Sequence, residues 1–161
     1  MPAQTLVKAT NQILVFGKAL KLECKVGANA TKAKMIPGTI VVRDTNDNEV
    51  MEAAGTELSI FGVIDVDPTH DMDDTYDVGD NIPILAPSPG AYLMLRMKAN
   101  ENVTQCDIIV HAADGLVIAQ VVGALGTQVS PIGQVWETWN VAAIEHVLCL
   151  WNPSYTLLAA A

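Results

Sequence analysis

Seven aspartates fall within sixteen positions, Asp65, Asp67, Asp71, Asp73, Asp74, Asp77 and Asp80, with His70 among them. Carboxylates at that density are what calcium selects, since it takes about six to eight oxygen ligands. Asp65, Asp67, Asp71 and Asp73 are the candidate metal ligands. The EF-hand pattern is missing, because the run has no glycine at the middle of a twelve-residue loop and no closing bidentate glutamate. The simpler reading is a solvated loop whose aspartates hydrogen-bond their own backbone through Asx turns. On that reading the chain holds no metal, and a basic partner surface is the remaining use for the charge.

Covalent chemistry finds less to work with. His70, His111 and His146 are too scattered to form a metal triad by spacing. No GxSxG elbow, glycine-rich phosphate loop or activating turn surrounds Ser59, Ser88, Ser130, Ser154 or Cys106. The chain reads as a non-enzyme with no cofactor. Cys24, Cys106 and Cys149 are odd in number and lie far apart, with no CxxC. Each sits among apolar residues, which predicts three buried free thiols rather than disulfides or zinc ligands.

The elements that must carry these residues are strands. Leu20 to Val26 alternates, with Leu20, Leu22, Cys24 and Val26 on one face and Lys21, Glu23 and Lys25 on the other. Further strands are expected at Thr39 to Arg43, Val50 to Ala54, Leu58 to Val66, Ile82 to Leu85, Ala91 to Met97, Asp107 to His111, Leu116 to Val122, Ile132 to Thr138 and Val147 to Trp151. Pro83 implies an edge or a bulge in its strand. Helix signals are thin, with one turn expected between Thr138 and His146, where Ala142, Ala143 and Glu145 favour it. Nine or ten short strands with a turn about every 8–12 residues make an all-β sandwich or barrel. We expect a small β-barrel, β-tulip-like, over residues 16–161, preceded by an extended arm over residues 1–15.

Composition agrees. Half of the 161 residues are apolar, the mean hydropathy is +0.29, and aromatics are only 5%, so β-branched and aliphatic side chains must fill the core. Net charge is −9, with Arg43 and Arg96 the only arginines. That balance excludes direct nucleic-acid binding and docking on an anionic membrane. The N-terminus lacks a signal-peptide pattern and no apolar run approaches about 20 residues, so synthesis and residence in a reducing cytosol are expected.

Partner contacts have their own candidates. Leu6, Val7 and Ile13 make the arm too apolar to lie free in water. Trp136, Trp139 and Trp151 are anchors in a chain poor in aromatics, and Trp139, in "TWN", reads as a loop residue suited to an interface. Leu157 and Leu158 lie in an uncharged tail, "LLAAA", that should dock against something. The loops around Asp71 and Gly126 complete the contact candidates.

The order "TIVVRD…VMEAAGTELSIFGVID", "YDVGDNIPIL", "GAYLMLRMKANENVTQCDIIVHAADGLV", "IGQVWETW" and "EHVLCLWNP" resembles the capsid decoration, or cement, proteins of tailed viruses. The match spans about Thr39 to Pro153 and rests on turn signatures, notably Gly-Asp before a strand and the Ala-Asp-Gly turn. Cys106 stands where that pattern has glycine, which predicts a turn with less positive φ. The resemblance implies a structural virion protein, made in the host cytoplasm, that binds the exterior of an icosahedral shell. Its partners would be the major capsid protein and itself, as a homotrimer, and it would stabilise the head. The rival reading is a cation- or carbohydrate-binding barrel using the acidic loop of residues 65–80.

Overall fold

A computed structural model describes residues 11–57, 59–120, 131–140 and 142–153. Leu6, Val7, Leu157, Leu158, Leu58 and the loop around Gly126 lie outside those residues. The described elements are all β: β1 (Leu14–Phe16), β2 (Ala19–Val26), β3 (Ile40–Arg43), β4 (Glu49–Glu52), β5 (Gly62–Ile64), β6 (Asn81–Pro87), β7 (Tyr92–Met97), β8 (Asn102–Val103), β9 (Ile108–His111), β10 (Val117–Ala119), β11 (Pro131–Val135), β12 (Trp139–Asn140) and β13 (Glu145–Trp151). Two single 3-10 turns, Lys32–Lys34 and Ala113–Gly115, are the described helical pieces.

The barrel expected from the sequence is present, and it is built from the first half of the chain. Strands β2-β4-β3-β5-β6 close on one another. The second half, with β1 from the start of the chain at its edge, forms a six-stranded sheet in the order β1-β7-β10-β9-β11-β13, and an added β7–β13 pairing joins β7, β10, β9, β11 and β13 into a second ring. β13 runs antiparallel to β7 over six residue pairs, from Glu145 opposite Met97 to Leu150 opposite Tyr92.

Side-chain alternation explains how the two rings share material. In β3, Val41 points into the first barrel while Ile40 and Val42 join the core of the second ring. In β5 and β6, Ile64 and Ile84 face the first barrel and Val63 and Leu85 face the second ring. These strands are buried on both faces. That is why "TIVV", "GVID" and "IPIL" read as continuous apolar runs while β2, with one wet face, alternates.

Three local expectations fail for identifiable reasons. Pro83 marks neither an edge nor a bulge, since β6 pairs with β2 without interruption from Lys25↔Asn81 to Ala19↔Pro87 and with β5 on its other side. The Pro83 carbonyl accepts from the Asp65 N–H at 2.9 Å, so its missing N–H falls on the side where β5 has already ended at Ile64. Among the described residues of Thr138 to His146 there is no helical turn. Trp139–Asn140 pairs with Asn102–Val103 and Glu145 already begins β13, so pairing overrides a weak alanine propensity. Trp139 is for the same reason a half-buried strand residue packed on the core rather than a loop residue. Ile13, too apolar to lie free, is fully buried in the chain's own core, and Leu14–Phe16 pair with β7.

The cysteines divide. Cys24 and Cys149 are buried, and burial pushes the Cys24 thiol up, against a smaller pull from Arg43. Cys106 is exposed, because it sits at a tight turn. Asp107 N–H donates to the Thr104 carbonyl at 3.0 Å, and Cys106 is the third residue of that turn with φ of 75°. A type II turn asks for φ near +80° there and normally takes glycine. The expected flattening of φ therefore does not occur: the turn keeps its shape and the cysteine adopts the glycine conformation. Relief of that strain, partly offset by the unfolded freedom of glycine, should make Cys106→Gly more stable by about 0.5–1 kcal/mol, read as a higher urea midpoint at unchanged slope.

Candidate functional site

The acidic loop is pinned at both ends and turned inward on its own backbone. Asp65 is 5% exposed and its Oδ2 meets Lys21 Nζ at 3.0 Å. The buried Tyr76 hydroxyl donates to the Asp65 carbonyl at 3.1 Å, which fastens the loop to the first barrel's core. Burial, followed by the charge of Asp67, raises the Tyr76 pKa, so the hydroxyl keeps its proton. His70 stacks on Tyr76 with ring centroids 4.3 Å apart and directs Nδ1 at Asp67 Oδ2, 2.8 Å away.

Asp67 also accepts from the Thr69 N–H and hydroxyl, both at 2.7 Å. Its partial burial would raise its pKa, but the bonds from His70 and Thr69 outweigh that and hold it at about 2. A carboxyl depressed below its unfolded value contributes stability above about pH 4, and that contribution is lost as pH falls through about 2. Thermal midpoints should therefore drop across that window in the wild type and change less in Asp67→Asn. Equal slopes in the two proteins would remove Asp67 from the account.

The remaining carboxylates follow the Asx pattern. Asp74 accepts from the Asp71 N–H at 2.8 Å and Asp80 from the Asp77 N–H at 2.9 Å. Asp77 also pairs with Lys32. Asp73 is exposed, 4.0 Å from His146 Nδ1. Asp65, Asp67 and Asp73 are thus turned to separate partners, Asp71 enters the pattern through its backbone, and among the described residues no group of three or more His, Cys, Asp or Glu side chains gathers as a metal site would need. The cation- and carbohydrate-binding reading has no converging ligand set to support it.

Elsewhere the polar groups hold the two rings together. His111 is 2% exposed, with Nε2 3.4 Å from Glu57 Oε2. Burial drives the His111 pKa down, against the opposing pull of Glu57. Glu57 in turn accepts from the N–H groups of Ala54, Gly55 and Thr56 at 2.7, 2.9 and 3.1 Å. These bonds overcome its own burial and hold its carboxyl below the usual range. The Glu57 bonds tether the loop after β4 beside the buried His111, whose ring nitrogens have no hydrogen-bond partner among the described residues.

The Ala-Asp-Gly turn closes the same seam. Asp114 and Gly115 both have φ of 65°, Asp114 pairs with Lys34 Nζ at 2.5 Å, and the Gly115 N–H donates to the Ala53 carbonyl at 2.9 Å. Across the seam, Arg96 Nη1 donates to Thr39 Oγ1 at 3.1 Å, and the Thr39 hydroxyl donates onward to the Lys34 carbonyl at 2.9 Å. His146 Nε2 lies 2.8 Å from the Pro37 carbonyl. Sequence reasoning named the Ala-Asp-Gly turn as a family signature but missed its role as a clamp. It gave Arg96 and Thr39 no contact with each other, since a contact 57 residues apart has no local pattern.

The exposed apolar surface is also displaced from the expected tryptophan. Trp151 is buried in the core, Trp139 is half-buried, and Trp136 is the more exposed at 37%. Trp136 meets Tyr92 edge-to-face at 5.0 Å, and Tyr92 meets the 67%-exposed Phe16 at 6.2 Å. The three rings make a continuous strip on the second sheet.

No protein-family model matches the chain, and no curated protein matches it. Among solved structures it is similar to the N base of head fiber gp8.5 of bacteriophage phi29, with a TM-score of 0.50 and 11% identity, over 85% of this chain and 98% of that one. At that identity the likeness is one of fold.

Proposed function

We propose that the chain is a non-enzymatic virion structural protein that sits on the exterior of an icosahedral capsid and stabilises contacts between major capsid subunits. The observation that carries this reading is the fold likeness to a bacteriophage head fiber base, which takes in 98% of that domain. The order of turns shared with the cement proteins points the same way, from sequence rather than coordinates. An acidic body suits a role outside the DNA-filled shell, where nothing need be bound by counterion release. As a homotrimer it would engage several capsid subunits at once, and repeated modest contacts would multiply into avidity.

The contact regions in this proposal are the arm ahead of Ile13, with Leu6 and Val7, and the loop around Asp71. Antibodies raised against the chain should label intact, DNA-filled particles of the virus that encodes it, and sedimentation equilibrium should give three times the chain mass. Failure to label intact particles would remove the capsid role. A monomer at micromolar concentration would remove the trimer alone. Deleting residues 1–10 should leave a folded protein that no longer co-sediments with capsids; undiminished co-sedimentation would take the arm out of the interface.

A further inference from the structure

The first half of β2 has a bare backbone edge. Bonds along this strand alternate in direction. The Val26 N–H donates to the Asp80 carbonyl at 2.8 Å, on the β6 side, whereas Lys25 and Gly27 donate to Asn48 and Val50 at 2.9 Å, on the β4 side. By that alternation Leu20, Leu22 and Cys24 bond to β6, and Ala19, Lys21 and Glu23 point their N–H and C=O groups the other way. β4 meets β2 at Lys25 and Val26, so among the described residues no strand lies along the Ala19–Glu23 edge. The stretch is open to water, with the Lys21 side chain 69% exposed and Glu23 exposed beside it.

Such an edge is a template for another strand, and its charges say which strand fits. Lys21 and Glu23 share one face, with Leu22 between them on the other. If two copies pair antiparallel about Leu22, Lys21 of each lies opposite Glu23 of the other. These are the residues whose backbone groups face the edge, so the two charge pairs are also hydrogen-bonded pairs, with four N–H to C=O bonds in all. Other registers fail on charge. A two-fold axis one residue earlier sets Lys21 against Lys21. One residue later it sets Glu23 against Glu23 and Lys21 against Lys25. Parallel pairing in register stacks like on like. Like charges directly opposite one another destabilise a strand pair.

The apolar face agrees with the same register. Leu22 meets Leu22 of the second copy, and the exposed Leu20 lies diagonal to it, within side-chain reach. The ladder stops at Lys25, whose N–H is already given to Asn48.

We propose that the Ala19–Glu23 edge is a self-recognition site, pairing antiparallel with the same segment of a second copy of this chain about Leu22. A two-fold contact closes on itself and cannot build a trimer, so the site stands independently of the capsid reading and of the trimer within it. A ladder this short belongs to the weak, transient class of interface, so it forms at high concentration.

Sedimentation equilibrium of the full chain from about 20 μM to about 1 mM should show the mean mass rising toward twice its dilute value, whichever oligomer that dilute value represents. Over the same range, NMR should show amide exchange slowing at Lys21 and Glu23 but not at Leu20 and Leu22, which are already bonded within the chain. Glu23→Lys should weaken the association by about tenfold or more, although it makes the chain less acidic overall. Glu23→Pro removes one edge donor and leaves the β6 pairing intact, and it should abolish the association. Both variants keep Lys21 with Asp65, and thermal midpoints within a few degrees of the wild type would show them folded. No rise in mass overturns the proposal, as does association of folded Glu23→Lys as tight as that of the wild type. Slow exchange at Lys21 and Glu23 in dilute solution also overturns it, since another segment of the same chain would then cover the edge.

Discussion

Gly115→Ala should lower the thermal midpoint by roughly 10 °C, from one added methyl group. A Cβ at position 115 would stand 2.3 Å from Thr39 Cγ2 and 2.5 Å from the Ile40 carbonyl oxygen. Neither neighbour can give way. Thr39 is held in its rotamer by bonds to Lys34 and Arg96, and the Ile40 oxygen is main chain within a shared strand, already accepting from the Ala53 N–H at 3.0 Å. The φ of 65° adds left-handed strain of about 1–2 kcal/mol to an overpacking cost of about 1–3 kcal/mol. Gly90→Ala separates the two effects. Gly90 has φ of 91° and nothing within 4 Å of an added Cβ, so it should pay the conformational part alone. Equal losses in the two variants, measured by thermal melts, would mean that the seam does not close at Gly115.

The second large effect concerns two adjacent residues. Ile84→Ala and Leu85→Ala should each cost about 2–5 kcal/mol, because each empties a different core. In a strand with one wet face, neighbours differ: the inward residue is costly and the outward one is nearly free. Leu20 provides a contrast of another kind: it shares a face with Cys24 and Val26 but is 63% exposed near the start of β2, so it empties no core and should change stability by less than about 0.5 kcal/mol on replacement by alanine. Urea unfolding of the three variants reads the difference directly. A tolerant Leu85→Ala would mean that the second ring does not rest on the first barrel.

Much of this architecture is legible in the residues, and the limits follow from range. The strands of β2, β3, β6, β7, β9 and β13 announce themselves by alternation or by apolar runs, both properties of a few neighbours. The two-residue strands Asn102–Val103 and Trp139–Asn140 carry no period of their own and exist only because they meet each other. Leu58 to Val66 looks like one long strand, yet among its described residues the strand is Gly62–Ile64, where Gly62 lets the Leu85 carbonyl approach within 2.4 Å of where a Cβ would be. The acidic loop's habit of bonding its own backbone was readable, since Asx turns are local. That Asp67 would take His70 and that His70 would stack on Tyr76 was not, because it depends on Tyr76 entering the barrel. Trp136 was ranked below Trp139 for the same reason: exposure of a tryptophan is decided by distant strands.

The ring closure of β13 has a consequence for how the protein is made. β13 completes the second ring only by pairing with β7 and β11, so that ring cannot form until residue 151 has left the ribosome. The first barrel is complete once residue 87 emerges, but Ile40, Val42, Val63 and Leu85 then lie on its outside with no cover. At about 5–20 residues per second the nascent chain carries this apolar face for several seconds. Such an interval favours collapse onto neighbouring chains on the same message. Cellular yield should therefore track slower initiation, lower temperature or holding chaperones more closely than it tracks the melting temperature of the finished protein.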